Sequence, residues 1–327
     1  MDNKELYSKF CESNYVPVYS KPWWLDAICG PVNWDVWLYI KGDSVLAAMP
    51  YYFEMRGNYK YITKAPLTQN NGIIFTEDEN RKKVKQAKFE EEVISEACDY
   101  IAGMGLDVYE QQYQHTFRNW LPFSWRGYSC MLRYTYIIED TSDMTAVEAE
   151  FTQDCKRNIN RGNKAVKISS DIDYKEFYRL HESVFAKQGL KCPFSFELWE
   201  RLYKAAKEHD SCEMYCGIDE ESNVHALLFL IWDDRYVYHL LGGAMPEFTN
   251  TQAYAALTYY GINKAHEMKL GYDFEGSMIE RISKSFRRYG GDPMPYFRIR
   301  KIFNPEIIQL EADQQIKKLK SEQESSL

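Results

Sequence analysis

The sequence predicts an α/β (α+β) fold with two domains in tandem, each a mixed central sheet flanked by helices. Two observations lead to this prediction. Short runs with strand-like alternation are interleaved with longer runs of helical periodicity, and the same order of elements occurs once in each half of the chain. At 327 residues the chain also exceeds the usual size of a single hydrophobic core. A composition of 45% hydrophobic residues supplies apolar surface for two cores.

The first half contains the elements of the first predicted domain, residues 1–140. Pro22 suits the first turn of a helix, where its missing N–H is not needed. Turn pairs at 42–43 and 57–58 separate three alternating runs, and the glycines at 103 and 105 end a long polar helix. The predicted elements are a helix at Pro22–Cys29, strands at 34–40, 44–55 and Tyr59–Thr63, a helix at 78–102, and strands at 106–111 and 128–138.

The second predicted domain spans residues 141–304, and residues 305–327 are predicted as a polar C-terminal helix and tail. Several helices are predicted between 141 and 208, followed by strands at Cys212–Ile218, Val224–Trp232, 235–241 and 272–275. Before the last strand, Asn250 or Thr251 can cap a helix that runs to Lys269. Ligands of α/β sheets bind where strands end and helices begin, so residues 242–252 and 275–277 are predicted as neighbouring walls of a site.

Composition and charge exclude several classes of protein. The net charge of −8 disfavours a non-specific duplex-DNA binder, which needs a broad basic face. The first 21 residues lack the apolar core of a secretory signal, and no run approaches the ~20 apolar residues that cross a bilayer. We therefore expect a cytoplasmic protein. Its eight scattered cysteines are then reduced thiols, and their spacing predicts no metal site.

Two acids stand at the end of the strand predicted at 272–275. Side chains alternate along a strand, so Asp273 and Glu275 share one face. Either carboxylate suits a general base, or a group that binds an ammonium or a sugar hydroxyl. The alternative is that one of them caps the helix predicted to begin near Met278. Ser277 belongs to the same predicted wall.

The facing wall combines backbone and side-chain groups. Gly242 and Gly243 break the chain, and the helix start at residues 250–252, which ends with Gln252, presents backbone N–H groups that bind phosphate. His239 lies in the middle of a strand and either faces the cleft or is a hydrogen-bonded core residue. Arg157 and Arg161 share one face of a basic helix that suits phosphate. The alternative for them is a solvated face balanced by the acidic residues before it.

Six stretches, in this order, resemble the FemA/FemB/FemX-like branch of the GNAT (acyl-CoA N-acyltransferase) superfamily. They are the basic helix 155–167, the Leu-His and Phe-Ala-Lys-Gln-Gly pieces of 177–189, 226–243, 253–269, Tyr-Asp-Phe-Glu-Gly at 272–276, and 284–290. The similarity covers residues 150–301 clearly and 15–140 weakly. It implies two GNAT-like domains in tandem, with the site in the second and the first as its wall and scaffold.

The resemblance also implies roles for individual residues. Tyr289 is the candidate acid toward a leaving thiolate, with packing as the alternative. The lysine that the family places in its Phe-Lys segment falls near Phe286, so Lys284 or Arg287 is expected to replace it. The pyrophosphate loop typical of GNAT enzymes is missing from 241–250, which reads Leu-Gly-Gly-Ala-Met-Pro-Glu-Phe-Thr-Asn. The segment 170–210 is too short for the coiled-coil arm of the tRNA-dependent enzymes.

The resemblance implies an acyltransferase that moves an acyl group from acyl-CoA to an amine of a sugar, an amino acid or a cell-envelope precursor. Acyl-CoA is then a donor co-substrate, and no tightly bound cofactor is expected. Two alternatives stay open. One is an aminoacyl-tRNA-dependent peptidoglycan-type enzyme, and the other is a binding protein that kept the fold and lost catalysis. A lipid-linked acceptor would require peripheral contact with a membrane.

Overall fold

The computed structural model describes residues 2–187 and 189–324, and it confirms the α/β architecture. The helices are Asn3–Ser13 (α1), Pro22–Cys29 (α2), Lys83–Gly103 (α3), Leu121–Trp125 (α4), Met144–Ala149 (α5), Gln153–Ala165 (α6), Tyr174–Ala186 (α7), Phe196–Glu208 (α8), Ala253–Met268 (α9), Glu280–Arg287 (α10) and Pro305–Glu324 (α11). Val18–Ser20 and Pro246–Thr251 are 3₁₀ turns. None of the helices within the described ranges has the length and apolar character needed to span a membrane.

The strands follow the predicted order closely. They are Trp34–Lys41 (β1), Ser44–Arg56 (β2), Tyr59–Thr63 (β3), Ile74–Phe75 (β4), Val108–Gln112 (β5), Ser129–Ile138 (β6), Lys167–Ser169 (β7), Cys212–Ile218 (β8), Val224–Trp232 (β9), Tyr236–Ala244 (β10), Gly271–Asp273 (β11) and Asp292–Ile302 (β12). The short strands β4 and β7 and the helix α1 were not predicted.

The chain forms two compact units whose segments are not consecutive. The first unit contains the chain up to Asn14, Pro31–Leu132 and the chain from Phe297 onward, and the second contains Tyr15–Gly30 and Arg133–Tyr296. The predicted ranges 1–140, 141–304 and 305–327 were consecutive. The difference arises because α2 packs on α8, and because the last strand, β12, pairs with β5.

The sheet of the first unit has the order β1-β2-β3-β5-β12. Its hairpins are antiparallel, whereas β3 and β5 are parallel because α3 connects them. The side chains of α3 that face the sheet are buried, among them Val93, Ile94 and Ile101. They pack with the aromatic residues of β1, β2 and β5 in one core.

The sheet of the second unit has the order β6-β11-β10-β9-β8-β7. Its centre, β9, is buried on both faces, as its continuous apolar run indicates. Leu228 and Leu230 of β9 pack with α9 in one core. Phe229 alternates with them, and its ring contacts Trp199 of α8 at 4.9 Å between centroids. Thus α6 and α9 cover one face of this sheet, and α7 and α8 cover the other.

One helix start differs from its prediction. The residue before α9 is Gln252, which has a left-handed backbone (φ 62°) and makes no side-chain capping bond. Thr251 instead donates its hydroxyl to the carbonyl of Phe248 at 2.6 Å. The expectation that Asn250 or Thr251 caps this helix is therefore wrong, because a 3₁₀ turn at Pro246–Thr251 precedes it.

Candidate active site

The second sheet opens at one point, where two parallel strands part. β10 pairs with β11 only from Tyr236 to Tyr238, and it then continues along β9 to Ala244 with a bulge between His239 and Leu241. β11 ends at Asp273, and the chain then turns away through two left-handed residues, Glu275 (φ 64°) and Gly276 (φ 55°). Beyond Tyr238, one edge of β10 therefore no longer pairs with β11.

A cleft of about 630 Å³ lies at this opening, and we refer to it as the main cleft. Its walls come from α7, the end of β10, the start of α9 and α10. The lining side chains are mostly apolar or aromatic, with a few polar groups among them. The lining residues are His181, Val184, Phe185, Gly242, Gly243, Ala244, Pro246, Thr249, Tyr254, Arg281, Ile282, Ser285 and Phe286. Such a mixture is typical of small-molecule sites.

A smaller cleft of about 160 Å³, the α9 cleft, lies at the first turn of α9. It shares Ala244, Thr249, Tyr254, Ser285 and Phe286 with the main cleft, so the two adjoin along these residues. Its other lining residues are Cys155, Asn158, Gln252, Ala255, Thr258, Arg288 and Tyr289. The first turn of α9 approaches α6 closely: a side chain at Gly162 would meet the Gln252 carbonyl oxygen at 2.4 Å.

His181 is one of several cleft residues that were not among the predicted site residues. It is only 6% exposed, and its Nε2 has no hydrogen-bond partner among the described residues. The rings of Phe177, Phe185 and Phe194 surround it. Burial lowers the pKa of His181 to about 4, so the ring is neutral at neutral pH. A buried polar atom without a partner is costly and marks a place where a ligand can supply the missing bond.

We expect His181→Phe to raise the free energy of unfolding by about 1 kcal/mol, because it removes an unsatisfied buried nitrogen from an aromatic cluster. Denaturant unfolding of the free protein measures this change. His225→Phe is the matched control: His225 is also buried, stacked on a phenylalanine and left with one ring nitrogen, Nδ1, without a partner among the described residues, but its Nε2 bonds to Asp219 at 2.9 Å and that bond is lost in the variant. That variant should lose stability. A loss in His181→Phe as well would show that Nε2 has a partner within the protein.

His239 lies behind the main cleft with both ring nitrogens bonded. Nδ1 is 2.8 Å from the hydroxyl of Tyr272, and Nε2 is 2.7 Å from the hydroxyl of Tyr254. The alternative of a hydrogen-bonded core histidine therefore describes it better than direct substrate binding. Gly242 is needed beside it, since a Cβ there would approach both His239 and Tyr254 within 2.9 Å. Tyr254, which lines both clefts, was not singled out in the sequence.

Of the two predicted catalytic acids, Asp273 lies on the other face of the sheet from α9, whereas Glu275 lies in the turn after β11, because the strand ends at Asp273 and not at residue 275 as predicted. Tyr272 is paired with Val237 of β10, and both side chains belong to the core that α9 covers. Asp273, the next residue, is paired with Tyr238, and its side chain lies on the opposite face of the sheet. Asp273 accepts hydrogen bonds from the Thr135 hydroxyl and from the Glu275 N–H. Burial raises its pKa to about 7 and also raises that of Glu275, whose Oε1 is buried without a partner among the described residues. Neither acid lines the two clefts.

The remaining predicted residues divide into those at the clefts and those away from them. Gly242 and Gly243 line the main cleft, while Gln252 and Tyr289 line the α9 cleft. Tyr289 is buried, its pKa is raised by burial, and its hydroxyl lies 3.5 Å from the Ala255 carbonyl. Asn250 is exposed, and Thr251 bonds within its own turn.

Several predicted binding residues point away from both clefts. Arg157 is exposed and paired with Asp154, and Arg161 is exposed on the same helix, because the buried side of α6 packs on α9. Lys284 pairs with Glu280 on the exposed side of α10, where Arg287 is exposed too. Ser277 accepts the Ile279 N–H before α10. From α10 it is Arg281, Ile282, Ser285 and Phe286 that line the main cleft.

Comparison with known proteins agrees with the α/β fold described above. A family described as acetyltransferase (GNAT) domain matches residues 149–288. No curated protein matches the sequence. FemX is similar in structure, with a TM-score of 0.68 and 12% identity over 95% of this chain and 98% of that chain.

Two further structures have the same fold. The L-PGS of Bacillus licheniformis gives a TM-score of 0.54 at 13% identity, over 96% of both chains. A tandem GNAT protein from the clavulanic acid biosynthesis pathway gives 0.50 at 8% identity, over 90% of this chain and 92% of that one. These likenesses show that the chain shares its fold with the three structures. Residues 149–288 therefore match the acetyltransferase (GNAT) domain family, and the chain as a whole has the same fold as FemX and the tandem GNAT protein.

Proposed function

We propose that the protein transfers an acyl group from an acyl-CoA thioester to an amine of a sugar, an amino acid or a cell-envelope precursor. The parting of β10 from β11 carries this proposal. It leaves a strand edge beside a cleft, and backbone N–H and C=O groups on such an edge bind an extended ligand in the way that a further strand would. The pantetheine arm of coenzyme A is extended and contains two amides.

The α9 cleft suits the anionic part of the donor. The start of α9 carries a partial positive charge, and Arg288 and Asn158 line the cleft nearby. These groups would bind the pyrophosphate of coenzyme A in place of the usual pyrophosphate loop, which is missing from residues 241–250. The thioester would then lie where the two clefts adjoin, between Tyr254 and Phe286.

The main cleft suits the acceptor. Its aromatic and aliphatic walls exclude water from the reacting carbonyl, and the free Nε2 of His181 is available to an amine N–H or a hydroxyl. Because burial lowers the pKa of this ring, it accepts a hydrogen bond as a neutral imidazole. Asp273 and Glu275 stay outside both clefts, and Asp273 holds the turn after β11 by accepting the Glu275 N–H.

An aminoacyl-tRNA-dependent reaction is the second candidate, and the similarity to FemX and to L-PGS favours it. The two candidates require the same nucleophilic attack of an amine on an activated acyl carbon. They differ in the size of the donor, since a tRNA needs a large basic surface outside the clefts. The third candidate is a protein that binds its ligand with this fold but no longer catalyses a transfer.

Thermal unfolding in the presence of acetyl-CoA and longer acyl-CoAs tests the proposal. Saturation at 100 times Kd should add about 2.7 kcal/mol to the free energy of unfolding. Free coenzyme A and the deacylated pantetheine phosphate serve as controls for the acyl group and the nucleotide. No shift with any thioester, together with binding of charged tRNA, would replace the first proposal with the second. Binding of neither donor would leave only the binding protein.

A further inference from the structure

Tyr272, His239 and Tyr254 form a continuous hydrogen-bonded chain from the core to the clefts. Tyr272 is fully buried, and its hydroxyl is 2.8 Å from Nδ1 of His239. Nε2 of the same ring is 2.7 Å from the hydroxyl of Tyr254, which lines both the main cleft and the α9 cleft. The three groups belong to β11, β10 and α9, so the chain joins the two parting strands to the helix.

The imidazole of His239, in the middle of this chain, carries a hydrogen on only one of its two nitrogens. Burial lowers the pKa of His239 to about 3, and the partners of its two ring nitrogens within the described ranges are tyrosine hydroxyls and not carboxylates. A neutral imidazole has one N–H donor and one acceptor nitrogen. One tyrosine therefore donates to the ring, and the other accepts from it.

The burial of Tyr272 determines the direction. The ring of His239 is the hydrogen-bond partner of its hydroxyl within the described part of the chain. If Nδ1 carried the hydrogen and donated to Tyr272, the Tyr272 O–H would itself be buried without an acceptor, at a cost of about 1–3 kcal/mol. Tyr272 O–H therefore donates to Nδ1, and Nε2–H donates to the oxygen of Tyr254.

This direction leaves the hydrogen of Tyr254 free. Its oxygen already accepts from His239, so its O–H turns away from the ring and can donate to a ligand in the clefts that Tyr254 lines. Burial also raises the pKa of Tyr254, so the hydroxyl keeps its hydrogen at neutral pH. A fixed donor in a site shielded from water is worth more than the same donor in water, because it needs no reorientation during a reaction.

We propose that Tyr254 donates a hydrogen bond to the carbonyl oxygen of the acyl donor, and that His239 and Tyr272 are positioning residues that orient this donor. The proposal rests on the proposed function, since it requires an acyl carbonyl between the clefts. When the amine nitrogen bonds to the carbonyl carbon, the C=O electron pair moves to the oxygen and the hydrogen bond to Tyr254 strengthens. When the pair returns, the C–S bond breaks and coenzyme A leaves as a thiolate, which takes up the proton that the amine nitrogen loses and becomes the free thiol. Tyr254 keeps its own proton throughout.

Infrared difference spectroscopy with acetyl-CoA labelled with ¹³C at the carbonyl tests this contact directly. In the wild-type protein the bound carbonyl should absorb at lower frequency than in free acetyl-CoA, and Tyr254→Phe should abolish that shift while acetyl-CoA still binds. Tyr260→Phe, an exposed tyrosine on the same helix, is the control and should leave the shift unchanged. An unchanged shift in Tyr254→Phe would overturn the proposal. Failure of acetyl-CoA to bind the wild type would instead refute the proposed donor.

A second measurement does not depend on any donor. Nitrogen-15 NMR of the free protein should show the hydrogen of His239 on Nε2, and Tyr272→Phe should move it at least partly to Nδ1. Where turnover of an acyl-CoA is observed, Tyr254→Phe should lower kcat about 100-fold with little change in KM. Tyr272→Phe should give an intermediate loss. A hydrogen on Nδ1 in the wild type would overturn the proposed direction of the chain.

Discussion

Replacing Gly276 with alanine should destabilise the protein by about 3 kcal/mol, one of the largest effects expected from a single methyl group. Gly276 has a left-handed backbone (φ 55°), and a Cβ there would lie 2.2 Å from the Tyr134 carbonyl oxygen and 2.5 Å from the Thr135 Cα. Both contacts are with backbone, which cannot move aside as a flexible side chain does. Denaturant unfolding gives the difference in free energy.

Gly243→Ala is the matched control for this effect. Gly243 lies in β10 of the same unit, and nothing stands within 4 Å of the place its Cβ would take. Its stability should change by less than about 1 kcal/mol, in either direction. Equal destabilisation of the two variants would mean that the backbone of Tyr134 and Thr135 does not exclude a Cβ at Gly276.

Asp273→Asn should remove a pH dependence of stability. The pKa of Asp273 rises from 3.8 to about 7 in the folded protein because burial disfavours its charge, with Asp233 and Glu139 adding to the effect and Thr135 and the Glu275 N–H opposing it. The folded state then binds more protons than the unfolded state between about pH 4 and pH 7. Stability therefore falls as pH rises through that window.

The stability of Asp273→Asn relative to wild type should consequently increase by about 4 kcal/mol between pH 4 and pH 8. Urea unfolding at a series of pH values measures this difference, and any constant offset from the new amide cancels. Asp219→Asn provides the opposite sign. Bonds from the Asn223 side chain lower the pKa of Asp219 to about 2, so the stabilisation by its charge is fully present above about pH 4 and is lost as pH falls. The cost of Asp219→Asn should therefore be constant above about pH 4 and shrink only below it. A flat difference for Asp273→Asn would show that this carboxyl stays ionised in the fold.

Local patterns in the sequence were enough to predict the elements of the second unit. Turn glycines and alternating apolar residues place β8 and β9 at their observed bounds and the start of β10 within one residue, although β10 continues three residues beyond its predicted end, to Ala244. The alternation that put Asp273 and Tyr272 on opposite faces is also confirmed by their neighbours in β10. These features depend on residues close together in the chain, which is why periodicity predicts them.

The clefts depend on contacts between distant residues, and there the prediction was less complete. His181 and Tyr254 are single polar residues on helices, and only the packing of α7 and α9 around the end of β10 brings them together. Arg157 and Arg161 looked like a phosphate site because no pattern shows which side of α6 packs on α9. Gly162 was the available signal, because a glycine within a helix often marks a close approach to another element.

The pairing of β5 with β12 has a consequence for synthesis on the ribosome. β5 ends at residue 112, yet the strand beside it begins at residue 292. Ile299 of that strand is part of the core that α3 covers. The first unit thus lacks an internal strand until residues 292–302 have been synthesised, whereas domains usually fold in the order in which they are made. Nascent chains of this protein should therefore expose the edge of β5 until β12 has emerged, and bind chaperones that recognise unpaired strands.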